Sequence, residues 1–192
     1  MSNDDTVENV IIAENTISNI RIAGGTACDG IVAVINNGFI PRSITVSNNI
    51  IENLPTATNP FNGIRLEHVG SNITVDNNQI YGADYGITAG TGRSNTAERL
   101  RVTNNTITLK TNGTGVVLGA DSAVNGNLRH VVVSGNIVAK ADPTGTGTFG
   151  IKIDGDPDRV ILTSNDTSDT DTPFVSVGAG PTNLVTANNI GF

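Results

Sequence analysis

The sequence predicts an all-β fold, a parallel β-solenoid of about seven coils, and three observations favour it. The first is the composition: the 192 residues include 22 glycines and no tryptophan, and asparagine and threonine occur throughout. Such a composition favours strands and turns over helices. The second and third observations are two short motifs that alternate along the chain, which is typical of repeat architectures.

The first motif places an asparagine at a fixed offset from apolar residues. In "ITVSNNII", Ile44 and Val46 precede Asn49, and Ile51 follows it. The pattern occurs seven times in all, and its asparagines are Asn15, Asn49, Asn78, Asn105, Asn136, Asn165 and Asn189. In stacked coils, equivalent side-chain amides can bind one another and the backbone of a bend. We therefore expect an internal asparagine ladder, at a bend whose left-handed conformation asparagine tolerates.

The second motif is a glycine followed by alternating apolar residues. It begins at Gly30, Gly63, Gly86, Gly115 and Gly150, and a degenerate copy begins at Phe174. Alternation over so few residues predicts a short strand with one buried face. Each repeat then holds two such strands and a very short third one after the asparagine. A β-sandwich is the alternative, but it needs tight hairpin turns and no fixed repeat.

The repeated asparagine and the "GI-x-I" strand together resemble the right-handed parallel β-helix of the pectin-lyase-like superfamily. The resemblance covers residues 1–192 as a single domain. It implies that the glycine motif forms the first sheet and that the ladder follows the second. The superfamily includes pectate lyases, polygalacturonases, epimerases and phage tailspikes, so the resemblance specifies the fold better than the function.

Family enzymes place their chemistry on the outward residues of the first sheet, which the resemblance assigns here to Val32, Arg65, Thr88, Val117, Lys152 and Ser176. Among these, Arg65 and Lys152 are candidates for substrate binding, together with Glu67 at the end of its strand. Tyr81 and Tyr85 are the aromatic residues that we expect to be exposed, and they are candidates for stacking on sugars.

The densest acidic segment is "IDGDPDR", which contains Asp154, Asp156 and Asp158. These three are a candidate calcium site, because Ca²⁺ takes carboxylate oxygens. Asp154 and Asp156, with Asp121 one coil away, are candidates for carboxylate catalysis. A solvated turn is the alternative, since Asp, Gly and Pro are turn residues. The catalytic motifs of the family's lyases and polygalacturonases are missing from the sequence.

Three further residues or rows receive simpler interpretations. Cys28 is expected to be a small buried residue, and His130 a surface histidine. The residues expected in the outward row of the second sheet form an irregular series, which disfavours ice binding. This row is Ile11, Thr45, Thr74, Arg101, Val132, Ile161 and Val185.

The formal net charge of −7, with only 11 Lys and Arg residues, argues against nucleic acid as a partner. It also disfavours a polyanionic sugar, unless a cation bridges the two. No apolar run approaches the length of a membrane span, and the first residues do not resemble a signal peptide.

We therefore expect a carbohydrate-associated module that binds a glycan or has a structural role, as in a tailspike, adhesin or accessory segment, without catalysis of its own. The alternative is a polysaccharide lyase, hydrolase or epimerase that acts on a uronate-type polymer. We expect the protein to have either no cofactor or a bound Ca²⁺ ion. The resemblance implies an extracellular or virion-surface location. Neither end shows a capping element, so we expect further coils, a capping domain or homo-oligomer partners there.

Overall fold

The protein is all-β in the computed structural model, which describes residues 8–18, 28–34, 42–53, 60–67, 70–90, 96–119, 127–178 and 180–192. These residues form seventeen strands and no helix. The strands are β1 (Glu8–Ala13), β2 (Thr16–Ser18), β3 (Cys28–Val34), β4 (Arg42–Ser47), β5 (Ile50–Glu52), β6 (Phe61–Glu67), β7 (Ser71–Asp76), β8 (Gln79–Gly90), β9 (Thr96–Thr103), β10 (Thr106–Leu118), β11 (Asn127–Ser134), β12 (Ile137–Lys140), β13 (Phe149–Asp154), β14 (Asp158–Thr163), β15 (Asp166–Asp169), β16 (Thr172–Val177) and β17 (Val185–Ala187).

All strand pairs are parallel, and each joins one repeat to the next. The seven-stranded sheet has the order β1-β4-β7-β9-β11-β14-β17. The second sheet has two arms that share the long strands β8 and β10. The short arm is β2-β5-β8-β10-β12-β15, and the glycine arm is β3-β6-β8-β10-β13-β16. The three strands per repeat that the sequence predicts are therefore present, two of them fused in β8 and in β10.

The core consists of apolar residues in register from one repeat to the next. In the seven-stranded sheet, Ile44 pairs with Ile73, and Ile73 pairs with Leu100. In the glycine arm, Ile64 pairs with Ile87. All five side chains, with Ile107 of the short arm, are almost fully buried. Each repeat thus supplies the same few apolar side chains to one continuous core, and burial against the neighbouring repeats stabilises it.

The seven asparagines form the predicted hydrogen-bonded ladder. The backbone N–H and the side-chain Nδ2 of Asn78 both donate to Oδ1 of Asn105, at 3.0 Å each. Nδ2 of Asn78 also donates to the carbonyl oxygen of Val46 in the preceding repeat. The same pattern runs from Asn15 to Asn189. Because both amide groups are satisfied, burial of asparagine carries no cost for a missing hydrogen bond.

The left-handed conformation falls on the residue before each ladder asparagine, and not on the asparagine itself. These residues have positive φ and are Glu14, Asn48, Asn77, Asn104, Gly135, Ser164 and Asn188. The left-handed conformation expected at the bend is therefore present, one residue before the ladder asparagine. The ladder asparagine instead uses its side chain to bind its neighbours.

Each repeat has a second left-handed residue, directly before the first core residue of the seven-stranded sheet. The row is Asn9, Ser43, Asn72, Arg99, His130, Arg159 and Asn183, with φ between 53° and 61°. Arg99, His130 and Arg159 are unusual members, because the left-handed region favours glycine, asparagine and aspartate. Such conformations cost on the order of 1 to 3 kcal/mol each and often mark functional sites.

The glycine motif is required by close approach of the backbone. A Cβ atom on Gly86 would lie 2.5 Å from both the Gly115 oxygen and Cγ2 of Ile107. A Cβ atom on Gly63 would similarly lie 2.7 Å from the Gly86 oxygen. The glycine arm therefore packs against the isoleucines of the short arm at a distance that only glycine permits.

The last repeat shifts by one residue relative to the sequence alignment. Ile151 pairs with Phe174, and Lys152 pairs with Val175, so Val175 continues the outward row and the prediction of Ser176 is wrong. The degenerate motif lacks the glycine that marks the start of the other copies, and this explains the error.

Candidate functional site

The predicted first-sheet face corresponds to the glycine arm, and its cations are already paired. Nη2 of Arg65 lies 3.0 Å from Oδ2 of Asp29, and Nζ of Lys152 lies 3.4 Å from Oδ2 of Asp154. In the centre of the same row, Thr88 and Val117 are only 8% and 4% exposed. The row is therefore not an open binding face in its middle repeats.

Two candidates cannot be placed fully on this face. The backbone of Glu67 pairs with Gly90 of β8, but its side chain lies outside the described part of the structure. Asp121, the proposed partner of Asp154, also lies outside the described residues. The catalytic pairing of Asp121 with Asp154 and Asp156 thus stays a prediction.

The three aspartates of "IDGDPDR" have separate environments. Asp154 pairs with Lys152, and Asp156 is exposed. Oδ1 of Asp158 accepts hydrogen bonds of 2.9 Å from both Thr182 and Asn183. Among the described residues, which include these three, no group of three or more His, Cys, Asp or Glu side chains is arranged to hold a metal ion.

The hydrogen bonds from Asn183 and Thr182 lower the pKa of Asp158. Hydrogen bonds from Thr144, Ser168 and Thr148 likewise lower the pKa values of Asp142, Asp166 and Asp171. Donors that stabilise the carboxylate hold it in the ionised form. A general acid requires the opposite shift, toward neutral pH, so these four carboxylates are unsuited to that role.

Tyr81 and Tyr85 are exposed, as the sequence predicts. Both belong to β8, and their side chains are 44% and 43% exposed. Tyr81 stands in register with Glu52 and Thr108 at the short arm, whereas Tyr85 begins the glycine arm. Their stacking on a sugar stays a prediction.

The described part of the structure has a groove on the outer face of the seven-stranded sheet, with a volume of about 440 Å³. We call it the arginine groove. It crosses four neighbouring strands, β7, β9, β11 and β14. Its lining residues are Asn72, Thr74, Arg99, Arg101, His130, Val131, Val132, Arg159 and Ile161.

The second left-handed row forms one side of the arginine groove. Nε of Arg99 donates to Oδ1 of Asn72 at 2.6 Å. Nη1 of Arg159 lies 2.6 Å from Nε2 of His130. Because a guanidinium group has no acceptor, Nε2 of His130 accepts this hydrogen bond. Each arginine is thus held by the side chain of the preceding repeat.

The outward row of the sheet forms the floor of the arginine groove. Thr74, Arg101, Val132 and Ile161 stand in register on successive strands. Arg101 is exposed and has no ion-pair partner in the described part of the chain. No lining residue is acidic. Beside the groove, Oδ2 of Asp158 lies 3.6 Å from Nε of Arg159.

Sequence reasoning missed this site, although it identified the row that forms the floor. The signal was present in the repeat alignment: the residue before the first core residue is Arg99, His130 and Arg159 in three consecutive repeats. His130 is an exposed histidine, as the sequence predicts, and it also binds Arg159.

No protein-family model, curated protein or solved structure matches this chain. Within the described ranges, no helix has the length and apolar character needed to cross a membrane.

Proposed function

We propose that the chain is a right-handed parallel β-helix that works as a carbohydrate-binding module without catalysis of its own. Support for the fold comes from the parallel pairing of every repeat with the next and from the continuous ladder. Support for the handedness comes from the general rule that crossovers between parallel strands are right-handed in about 98% of cases. The likeness to the pectin-lyase-like superfamily stays part of this proposal.

The observation that carries the function is the shape of the arginine groove. It crosses four strands, and at about 4.8 Å per strand it extends for roughly 14 Å across the sheet. An extended polymer lying perpendicular to the strands fits such a groove better than a compact ligand does. The groove combines hydrogen-bonding side chains (Asn72, Thr74 and Arg101) with an apolar floor at Val132 and Ile161, a combination suited to the polar edges and apolar faces of sugar rings.

The alternative, a polysaccharide lyase, hydrolase or epimerase, has less support. Arg65 and Lys152, the candidate cations for substrate binding, are paired with Asp29 and Asp154, so Asp154 is also engaged in an ion pair. A binding module does not need a free catalytic cation or carboxylate on this face. An extracellular or virion-surface location, where polysaccharides occur, follows from this proposal.

A groove-filling variant tests the proposal. Val132 lies on the floor in the middle of the arginine groove, and Thr45 occupies the same outward row two strands from β9. We expect Val132→Trp to abolish the retention of the protein by a panel of immobilised neutral and charged polysaccharides. Thr45→Trp should leave retention unchanged, and the wild-type protein should release no new reducing ends from any polymer that it binds.

Equal retention of Val132→Trp and Thr45→Trp would remove the groove from the proposal. Release of reducing ends or of unsaturated sugars by the wild-type protein would favour the enzyme.

A further inference from the structure

We propose that the arginine groove binds a polyanionic glycan through Arg99, Arg101 and Arg159, which would contact carboxylates or sulfate esters on the polymer. This inference rests on the proposed glycan-binding function and adds the charge class of the ligand. It departs from what the net charge of −7 suggests, because the charges are not distributed evenly over the surface.

The hydrogen-bonding capacity of the groove is the first argument. The wall of the groove, which is the side formed by the second left-handed row, offers two strong side-chain acceptors, Oδ1 of Asn72 and Nε2 of His130. Both are already used, by Arg99 and Arg159. The remaining N–H groups of the three arginines are donors only. A ligand that supplies acceptors, and above all charged ones, matches this wall.

The charge of the groove is the second argument. Three of the 11 Lys and Arg residues of the chain line this one groove, and no lining residue is acidic. Asp158 approaches Arg159 from beside the groove, but its Oδ1 is directed to Thr182 and Asn183. Arg101 has no ionic partner in the described ranges. The local field is therefore positive on an otherwise acidic protein.

The backbone conformation is the third argument. Arg99, His130 and Arg159 have φ of 61°, 53° and 56°. The equivalent positions in the other repeats are Asn9, Ser43, Asn72 and Asn183, and asparagine, which occupies three of these four, adopts this conformation at lower cost. The backbone therefore gains nothing from arginine or histidine here, and an unfavourable conformation at an exposed position is typical of a functional site.

The spacing of the cations favours a polymer. Arg99 and Arg159 lie two repeats apart, or about 10 Å at the strand spacing, and Arg101 lies beside Arg99 on β9. A row of cations along the groove can contact successive anionic groups of one extended chain. The apolar Val132 lies on the floor between β9 and β14, and Ile161 lies beside it on β14, the strand of Arg159, so the face of a sugar ring can pack there.

Binding isotherms of the full chain test the inference with four probes: heparin for sulfate esters, polygalacturonate for carboxylates, dextran as a neutral polymer and duplex DNA. The informative variants are Arg101→Gln and the double variant Arg101→Gln, Arg159→Asn, in which asparagine suits the left-handed position. The matched control is Arg42→Gln, which removes one exposed charge from the same sheet outside the groove.

We expect the wild-type protein to bind heparin or polygalacturonate with an affinity that falls as salt rises. Arg101→Gln should weaken that binding about tenfold, since hydrogen bonds between charged groups are strong. The double variant should weaken it further, whereas Arg42→Gln should change it by less than about twofold, because exposed charges outside the site contribute little. Arg101→Gln keeps the test valid if the double variant does not fold.

Binding of heparin alone or of polygalacturonate alone would support the inference and identify the anionic group. Arginine variants that bind these polymers as tightly as wild type would overturn it. If dextran is bound and neither heparin nor polygalacturonate is bound, the inference fails but the proposed function stands. If DNA is bound in an Arg101-dependent manner and no glycan is bound, both fail.

Discussion

At the scale of single residues, each ladder asparagine in the middle of the chain binds several partners at once. Oδ1 of Asn78 accepts from the backbone and from the side chain of Asn49, and its Nδ2 donates to Asn105 and to the Val46 carbonyl. Because Asn78 is completely buried, water cannot replace these partners. One side chain therefore satisfies groups in three successive repeats.

We predict that Asn78→Ala lowers the free energy of unfolding by at least about 3 kcal/mol, since it leaves several buried donors and acceptors unsatisfied at about 1 to 3 kcal/mol each. Asn105→Ala should have a similar effect. Urea denaturation measures both, with Gln79→Ala as the control, because Gln79 is exposed at the same bend. A loss below about 0.5 kcal/mol at both asparagines, the range of ordinary surface substitutions, would show that the ladder contributes little to stability.

At the scale of strands, the glycine arm depends on a contact distance that no other residue allows. Gly86→Ala would place a methyl group 2.5 Å from the Gly115 oxygen and 2.5 Å from Cγ2 of Ile107. Neither the β10 backbone nor a fully buried isoleucine can move away easily. The substitution must therefore push β8, which contains Gly86, away from β10, which contains both contacted atoms.

We expect Gly86→Ala to destabilise the protein by about 3 kcal/mol, at the upper end of the usual cost of overpacking. Gly155→Ala is the matched comparison: its Cβ would meet nothing within 4 Å, although its φ of +90° is unfavourable for alanine. Its cost should therefore be conformational only, about 1 kcal/mol. If thermal or urea denaturation finds the two variants equally stable, close approach does not explain the motif.

The elements that sequence predicted best are those whose signal repeats. The asparagine of the ladder (Asn49 in its repeat) and the glycine of the second motif (Gly63) recur in successive repeats, so the ladder and the glycine arm could be located from the sequence alone. The register failed at Ser176, where Phe174 replaces the glycine of the motif. The arginine groove was missed because its residues share a position in the repeat but no residue type: Asn72, Arg99, His130 and Arg159 are equivalent in the alignment and differ chemically.

At the scale of the whole molecule, stability comes from the contacts between neighbouring repeats. Each repeat contacts the ones before and after it, so a central strand is held from both sides and a terminal one from one side. Burial decreases from the central strands to the outer ones. In β7, buried residues alternate with less buried ones, whereas β1 contains no buried residue and β17 is exposed along its whole length. The ladder, too, is completely buried only in its inner members from Asn49 to Asn165.

This gradient predicts the pattern of amide hydrogen exchange. In a linear array, terminal units open more easily than central ones because they have only one interface to lose. We expect the amides of β7, β9 and β11 to exchange slowest and those of β17 fastest, with β14 between them, when exchange is followed by mass spectrometry under native conditions. Pairing of β17 with β14 through Ile161 and Val185 should give β17 some protection, and the stacked rings of Phe174 and Phe192, 5.5 Å apart, should slow the exchange of β16. Uniform protection from β4 to β17 would instead mean that the array opens only as a whole, and that cooperativity between repeats exceeds the difference in their burial.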